Sequence, residues 1–174
     1  MIKFLYTTAL IMALALCTGC INDKEEPGQG GNIAVGDKLP DLSLTLSDGT
    51  AVDNGTLEGK VSLIILFSVT CPDCQAQLPV TEQFYEDYGS RIEMFGISRA
   101  EGEGMIGKYW QDNGFRMPYS PQEDRQVYNL FAASVVPRIY IADRNRIVRA
   151  VFTDNPLAGY QDLKNAVDPL LDNE

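Results

Sequence analysis

The chain has 174 residues, of which 45% are apolar, 9% aromatic and 22% charged, a balance typical of one globular domain and not of a disordered or fibrous protein. Its 24 acidic side chains outnumber the 14 lysines and arginines and give a formal charge of −10, which argues against nucleic acid as a partner. The sequence contains no histidine. This excludes catalysis by Ser-His or Cys-His pairs and removes the commonest transition-metal ligand.

The first 20 residues, MIKFLYTTALIMALALCTGC, predict a bacterial lipoprotein signal peptide. Lys3 precedes an apolar run over residues 9–16 that is too short to span a membrane comfortably. The closing CTGC resembles a lipobox, in which cleavage leaves a cysteine that carries the lipid. We therefore expect a lipid on Cys20 and a protein anchored in the bacterial cell envelope, facing the periplasm or at the cell surface. The alternative is a cleaved signal whose cysteine is incidental.

Residues 21–35, INDKEEPGQGGNIAV, combine glycines and charged residues with little apolar content. Such a composition predicts a flexible tether that holds the following domain off the membrane. The folded domain is therefore expected to occupy residues 36–174.

The first elements of this domain follow from hydrophobic periodicity. LSLTLSDGTAV alternates Leu42, Leu44 and Leu46 with polar residues before an Asp-Gly turn, which predicts a β-hairpin. Residues 60–69, KVSLIILFSV, form a nearly continuous apolar run, typical of a strand buried on both faces. The stretch that follows, as far as Gly89, predicts a helix.

The second half continues the alternation of strands and helices. RIEMFGIS predicts another buried strand, and GMIGKYWQDNG predicts a helix that ends at Gly114. DRQVYNLFAA predicts a helix, RIYIAD and RIVRAVF a hairpin, and AGYQDLKNAVDPLLD a closing helix. This order predicts an α/β fold with a mixed central sheet flanked by helices on both faces.

Two cysteines lie where the first buried strand ends and a helix begins, in VTCPDCQAQ. Pro72 takes the first helical position, where its missing N–H costs no hydrogen bond. The helix N-terminal amides then point at the Cys71 sulfur and stabilise its thiolate, which makes Cys71 the expected attacking nucleophile. Cys74, on the same side of the first turn, is expected to resolve the mixed disulfide.

Other interpretations of the pair are weaker. A structural zinc site needs two more Cys or His ligands, and none remains once Cys17 leaves with the signal and Cys20 takes the lipid. A structural disulfide would close a loop too short to restrain the unfolded chain much. We therefore expect no metal and no cofactor, only a redox-active disulfide between Cys71 and Cys74.

Several stretches together resemble a known family. Cys71-Pro72-Asp73-Cys74 after a buried strand, with VVPRIYIADRNRIV further on, resembles the thioredoxin fold. GDKLPDLSLTLSDGT and DRQVYNLFAASVVP resemble specifically the membrane-anchored thiol-disulfide oxidoreductases of the TlpA/ResA type. The resemblance covers the chain from Gly36 onward and implies a thioredoxin-like fold with an N-terminal β-hairpin extension.

The resemblance also implies a substrate site and a reaction. In this family the proline that matches Pro137 is cis and packs opposite the two cysteines. The residue before it, here Val136, offers backbone groups to an extended substrate segment. The implied reaction is the reduction of disulfides in cysteine-containing envelope proteins, with electrons from an upstream donor.

The chain departs from the family around the cysteines. Thr70 stands where the family usually has tryptophan, Gln77 where it commonly has glutamate, and Ile65 where thioredoxins bury an aspartate. No carboxylate therefore remains at either of the last two places to move the proton of Cys74.

Three further residues complete the expected surroundings. Pro72 and Asp73 separate the cysteines, and the negative charge of Asp73 disfavours a thiolate at Cys71. Arg138, where the family often has threonine, is either a compensating cation or a surface arginine, and we favour the surface interpretation.

These observations predict an envelope thiol-disulfide oxidoreductase and leave two alternatives open. A peroxiredoxin-like thiol peroxidase shares the fold, but its Pro-x-x-x-Thr-x-x-Cys pattern, placed on Cys71, meets Ile64 in place of proline and Ser68 in place of threonine. A redox-inert binding lipoprotein of the thioredoxin fold would keep the two cysteines without using them.

Overall fold

A two-stranded hairpin precedes the main sheet along the chain. The computed structural model describes residues 32–172, so the predicted signal peptide, Cys20 and most of the tether lie outside the described residues. Strand β1 (Ser43–Thr45) pairs antiparallel with β2 (Ala51–Asp53). Gly49 in the turn has a φ of 87°, a conformation that favours glycine. The predicted N-terminal hairpin is therefore confirmed.

The main sheet contains five strands, which in chain order are β3 (Ser62–Phe67), β4 (Glu93–Ser98), β5 (Tyr119–Ser120), β6 (Arg138–Ala142) and β7 (Val148–Phe152). Their spatial order is β5-β4-β3-β6-β7, with β3 parallel to β4 and antiparallel to β6. The predicted mixed sheet is thus present. All six residues of β3 are buried, as the continuous apolar run predicts for a strand covered on both faces.

The described residues also form five helices: α1 (Asn54–Leu57), α2 (Pro72–Tyr88), α3 (Glu103–Asn113), α4 (Gln126–Phe131) and α5 (Tyr160–Leu171). Helix α3 ends at Gly114, whose φ of 69° is the left-handed cap that the sequence predicts. Between residues 32 and 172, none of the helices combines the length and the apolar character that crossing a bilayer would require.

The sequence does not predict two of the short elements, α1 and β5. They contain four and two residues, too few to show a hydrophobic period. Strand β5 forms because it pairs with Gly96 and Ile97 of β4. No local sequence pattern predicts this tertiary contact.

Two residues of the predicted tether, Asn32 and Ile33, form backbone hydrogen bonds to a distant helix. The backbone N–H groups of Asn32 and Ile33 both donate to the carbonyl of Phe131, at 2.8 and 3.2 Å. Composition does not indicate these contacts, because polar, glycine-rich chain can still form backbone hydrogen bonds to a distant helix.

The turn between β6 and β7 is organised by Asp143. Its Oδ1 accepts hydrogen bonds from the N–H groups of Asn145 and Ile147 at 2.9 and 3.0 Å, and its Oδ2 accepts one from Arg149 Nε at 2.7 Å. Burial alone would raise the pKa of Asp143, but these donors outweigh it and hold the pKa below the ordinary value of 3.8. The folded state therefore favours the ionised carboxylate.

We expect Asp143→Ala to lower the free energy of unfolding by about 1–2 kcal/mol at neutral pH, because two backbone donors and Arg149 lose their acceptor. A depressed folded pKa means that this contribution is present above the unfolded pKa of about 3.9 and is lost as the pH falls through the folded value. Urea unfolding of the wild type and the variant at neutral pH and near pH 2 checks this expectation.

Asp143→Asn is the matched control, since it keeps the Oδ1 acceptor and should cost less than the alanine variant. The stability difference between Asp143→Ala and the wild type should shrink at acid pH. A difference of the same size at both pH values would contradict the assigned role of the carboxylate.

Candidate active site

The two cysteines lie at the junction of β3 and α2, in different environments. Cys71 is the N-cap residue of α2, and Pro72 is the first residue of the helix, as predicted. Cys71 is half-buried, whereas Cys74 is completely buried, and both are present as thiols. Only the first sulfur is therefore accessible to another protein.

The Cys74 sulfur is enclosed and has one backbone donor. The N–H of Ser68 points at it with a distance of 3.4 Å from nitrogen to sulfur. Burial raises the pKa of the Cys74 thiol well above its ordinary value, and the adjacent Cys71 raises it further, whereas the Ser68 N–H and the charge of Arg99 lower it. Reduced Cys74 therefore keeps its proton, which must leave before this sulfur can attack.

The peptide bond between Val136 and Pro137 is cis, as the resemblance implies. The Cys71 thiol lies 3.5 Å from the carbonyl oxygen of Val136. The hydroxyl of Tyr128 donates to the carbonyl of Val135 at 3.0 Å. This bond fixes the backbone just before Val136. The structure thus brings together the predicted attacking sulfur and the predicted substrate-binding backbone.

The remaining predicted residues of the first turn are at the surface. Thr70, Pro72 and Asp73 are exposed. The Thr70 hydroxyl shares a hydrogen bond of 2.9 Å with the hydroxyl of Ser68, which connects the exposed rim of the site to its buried part.

Gln77, which replaces the family's glutamate, is bonded to the backbone of Ala158. Its Nε2 donates to the Ala158 carbonyl at 2.9 Å, and its Oε1 accepts from the Ala158 N–H at 3.0 Å. The side chain is 1% exposed. Gln77 thus holds α2 against the chain that precedes α5, and both ends of its amide are occupied by this structural contact.

The interpretation of Arg138 as a surface arginine is wrong. Its side chain is 0% exposed, it lies opposite Leu66 of β3, and its guanidinium donates to the Ser134 carbonyl at 3.4 Å. All five residues of β6 are buried because this strand lies between β3 and β7 and both of its faces are covered. A charged residue there cannot reach solvent.

Sequence analysis misses a carboxylate, Glu101, which is bound by two buried serines. The Ser68 hydroxyl donates to its Oε1, and the Ser98 hydroxyl donates to its Oε2 at 2.7 Å. The Glu101 N–H in turn donates to the Ser98 oxygen at 2.7 Å. Ser68 follows β3 and Ser98 ends β4, so the available signal was that neighbouring parallel strands end at the same edge of a sheet.

Comparisons with known proteins identify related sequences. Residues 35–151 match the model of the AhpC/TSA family. Thiol-disulfide oxidoreductase ResA of Oceanobacillus iheyensis is 24% identical over 135 residues, which cover 72% of this chain and 70% of that protein.

Two solved structures are similar in fold. A candidate protein disulfide isomerase from Bacteroides thetaiotaomicron has a TM-score of 0.75 at 20% identity, covering 82% of this chain and 92% of that one. A secreted thiol-disulfide isomerase from Corynebacterium glutamicum has a TM-score of 0.68 at 20% identity, covering 78% of this chain and 86% of that one.

These similarities confirm the predicted thioredoxin-like fold and the resemblance to thiol-disulfide oxidoreductases of the ResA type. The enzyme class predicted from the sequence is also the class for which these relatives are named. Because the family model matches more than half of its residues, the chain belongs to the AhpC/TSA family.

Proposed function

We propose that this protein reduces disulfide bonds in other proteins, with Cys71 as the attacking and Cys74 as the resolving thiol. The observation that carries the proposal is the unequal exposure of the pair. Cys71 is accessible at the start of α2, and Cys74 is enclosed beneath the Ser68 N–H. An enclosed sulfur cannot meet a partner, so it can react only with the sulfur beside it.

The reaction takes two thiol-disulfide exchange steps. The Cys71 thiolate attacks one sulfur of the partner disulfide, which breaks that bond, forms a mixed disulfide and releases the other sulfur as a thiolate. Cys74 then loses its proton and attacks the Cys71 sulfur, forming the Cys71–Cys74 disulfide and freeing the second partner thiol. The partner gains two electrons and two protons, and an upstream dithiol donor must restore the pair.

The partner is proposed to bind as an extended segment beside Val136. The Val136 carbonyl lies 3.5 Å from the Cys71 sulfur, so a peptide N–H that bonds to this carbonyl would place the adjoining cysteine near the nucleophile. Backbone pairing of this kind accepts many side chains. The substrate class that it favours is an accessible disulfide in an unfolded or loop segment.

The place of action that we propose is the cell envelope, with the domain anchored through a lipid on Cys20. The lipobox-like CTGC supports the anchor, and disulfides persist mainly in oxidising compartments outside the cytosol. One structural neighbour is described as secreted. Cysteine-containing envelope proteins are therefore the proposed partners.

Cys71→Ser should abolish the reduction of insulin disulfides by a dithiol, because no other accessible sulfur among the described residues can start the reaction. Cys74→Ser should attack once and remain joined to its partner. Insulin turbidity measures the first expectation, and mass spectrometry of the trapped species from envelope extracts measures the second. Insulin reduction that survives Cys71→Ser would contradict the assignment of Cys71 as the nucleophile.

Peroxide should oxidise Cys71 no faster than an ordinary exposed thiolate. The serine at the peroxidase threonine position, Ser68, has its hydroxyl bonded to Glu101 and Thr70 and is therefore not available to polarise a peroxide. Stopped-flow reaction with hydrogen peroxide, with free glutathione as reference, checks this. Turnover far above the reference would favour the thiol peroxidase alternative.

The redox midpoint should lie nearer thioredoxin's value of about −270 mV than the value of about −120 mV of the strong oxidants of this fold. Strong oxidants owe their potential to a stabilised reduced form, and Pro72-Asp73 places no cation between the cysteines. Equilibration of the purified protein against glutathione buffers gives the midpoint.

Asp73→His should make the pair more oxidising because a cation there stabilises the Cys71 thiolate, and Asp73→Asn should shift the midpoint less in the same direction. A wild-type midpoint close to the strong-oxidant value, or no shift with Asp73→His, would show that this charge argument is wrong.

A further inference from the structure

We infer that Glu101 is a positioning residue for the resolving step, in which it acts on Cys74 through Ser68. The inference rests on the proposed function and deepens it, since it assigns a group to the activation of the buried thiol.

Hydrogen bonds connect the Glu101 carboxylate to the Cys74 sulfur through a single residue. The Ser68 hydroxyl donates to Glu101 Oε1, and the Ser68 N–H points at the Cys74 sulfur at 3.4 Å. Because both contacts belong to Ser68, fixing its side chain also fixes the direction of its N–H.

Hydrogen bonds to Ser98, the last residue of β4, hold Glu101 in place. Its second carboxylate oxygen and its N–H both bond to the hydroxyl of Ser98, at 2.7 Å each. Ser68 and Ser98 are both 0% exposed. One residue further on, the Arg99 N–H donates to the Phe67 carbonyl at 2.7 Å. Through Arg99 and Glu101, the loop after β4 thus forms hydrogen bonds that fix the loop carrying Ser68.

The hydrogen bonds from Glu101 to Ser68 and from Ser68 to Cys74 affect the second exchange step and not the first. In that step the S–H bond of Cys74 and the bond from Cys71 to the partner sulfur break, and the Cys71–Cys74 bond forms. The departing partner thiolate takes up one proton. The reacting species at Cys74 is the thiolate, and a donor aimed at the charged sulfur favours it. Attack by Cys71 on a partner does not use this donor.

No other carboxylate occupies this role at the expected places. Ile65 is apolar and fully buried, and Gln77 is engaged with Ala158. Glu101 is the carboxylate that hydrogen bonds link to Cys74 in the described part of the chain.

Reaction with Ellman's reagent, followed by absorbance over time, separates attack by Cys71 from resolution by Cys74 in one experiment. Attack by Cys71 releases one coloured thiolate, and resolution by Cys74 releases a second. The protein is the full chain in detergent, with Cys17 and Cys20 replaced by Ser in every sample. Since the chain has four cysteines, only Cys71 and Cys74 then react.

Glu101→Gln and Ser68→Ala should each slow the second release about tenfold near neutral pH and move its pH dependence to higher pH. The first release should keep its rate to within about twofold. The double variant should be no slower than either single variant, because both changes interrupt the same path. Glu123→Gln is the matched control: its exposed carboxylate lies beside Gly102 in the same region, and both releases should be unchanged.

Slowing of both releases by the same factor would indicate general loosening of the site and would overturn the inference, as would an unchanged second release. If one single variant fails to fold, the other decides the question. A wild-type chain that gives both releases but reduces no protein disulfide would overturn the proposed function instead, and the variants would still decide the role of Glu101.

Discussion

The structure of the site depends on the enclosure of Cys74 beneath the N–H of Ser68. Strand β3 ends at Phe67 and helix α2 begins at Pro72, so only four residues turn the chain. This short turn leaves Cys71 accessible and places Cys74 one helical turn deeper, where it is 0% exposed. Because a buried sulfur cannot approach a partner, Cys71 is the sulfur of this pair that another molecule can reach.

The same enclosure creates the electrostatic problem that the surrounding residues must solve. Burial disfavours the charged form of Cys74, yet the resolving step that we propose requires that form. The groups that oppose the penalty come from the ends of two parallel strands: the Ser68 N–H after β3, and the guanidinium of Arg99 after β4. The domain carries a large excess of acidic residues overall, but burial, opposed in part by these local donors, decides the protonation state of this sulfur.

Local patterns predicted much of this arrangement, and long-range contacts account for what they missed. The apolar run of β3, the cysteine spacing and the end of α3 at Gly114 are visible within short windows of sequence, and all three are present. The burial of Arg138 is not visible locally because its strand is central only once β3 and β7 flank it. No local pattern indicates the hydrogen bonds of Asn32 and Ile33, because they reach Phe131, about a hundred positions away.

Gln77 and Glu101 make different contacts around the cysteine pair. Gln77, at the expected helix position, is uncharged, and its amide fixes α2 to Ala158. The Glu101 carboxylate, in the loop after β4, accepts from the hydroxyl of Ser68, whose N–H points at the Cys74 sulfur. This arrangement is possible because parallel neighbours end at one edge of the sheet, where Ser68 and Ser98 both bind Glu101. The edge, more than any one element, therefore determines which residues can serve the buried thiol.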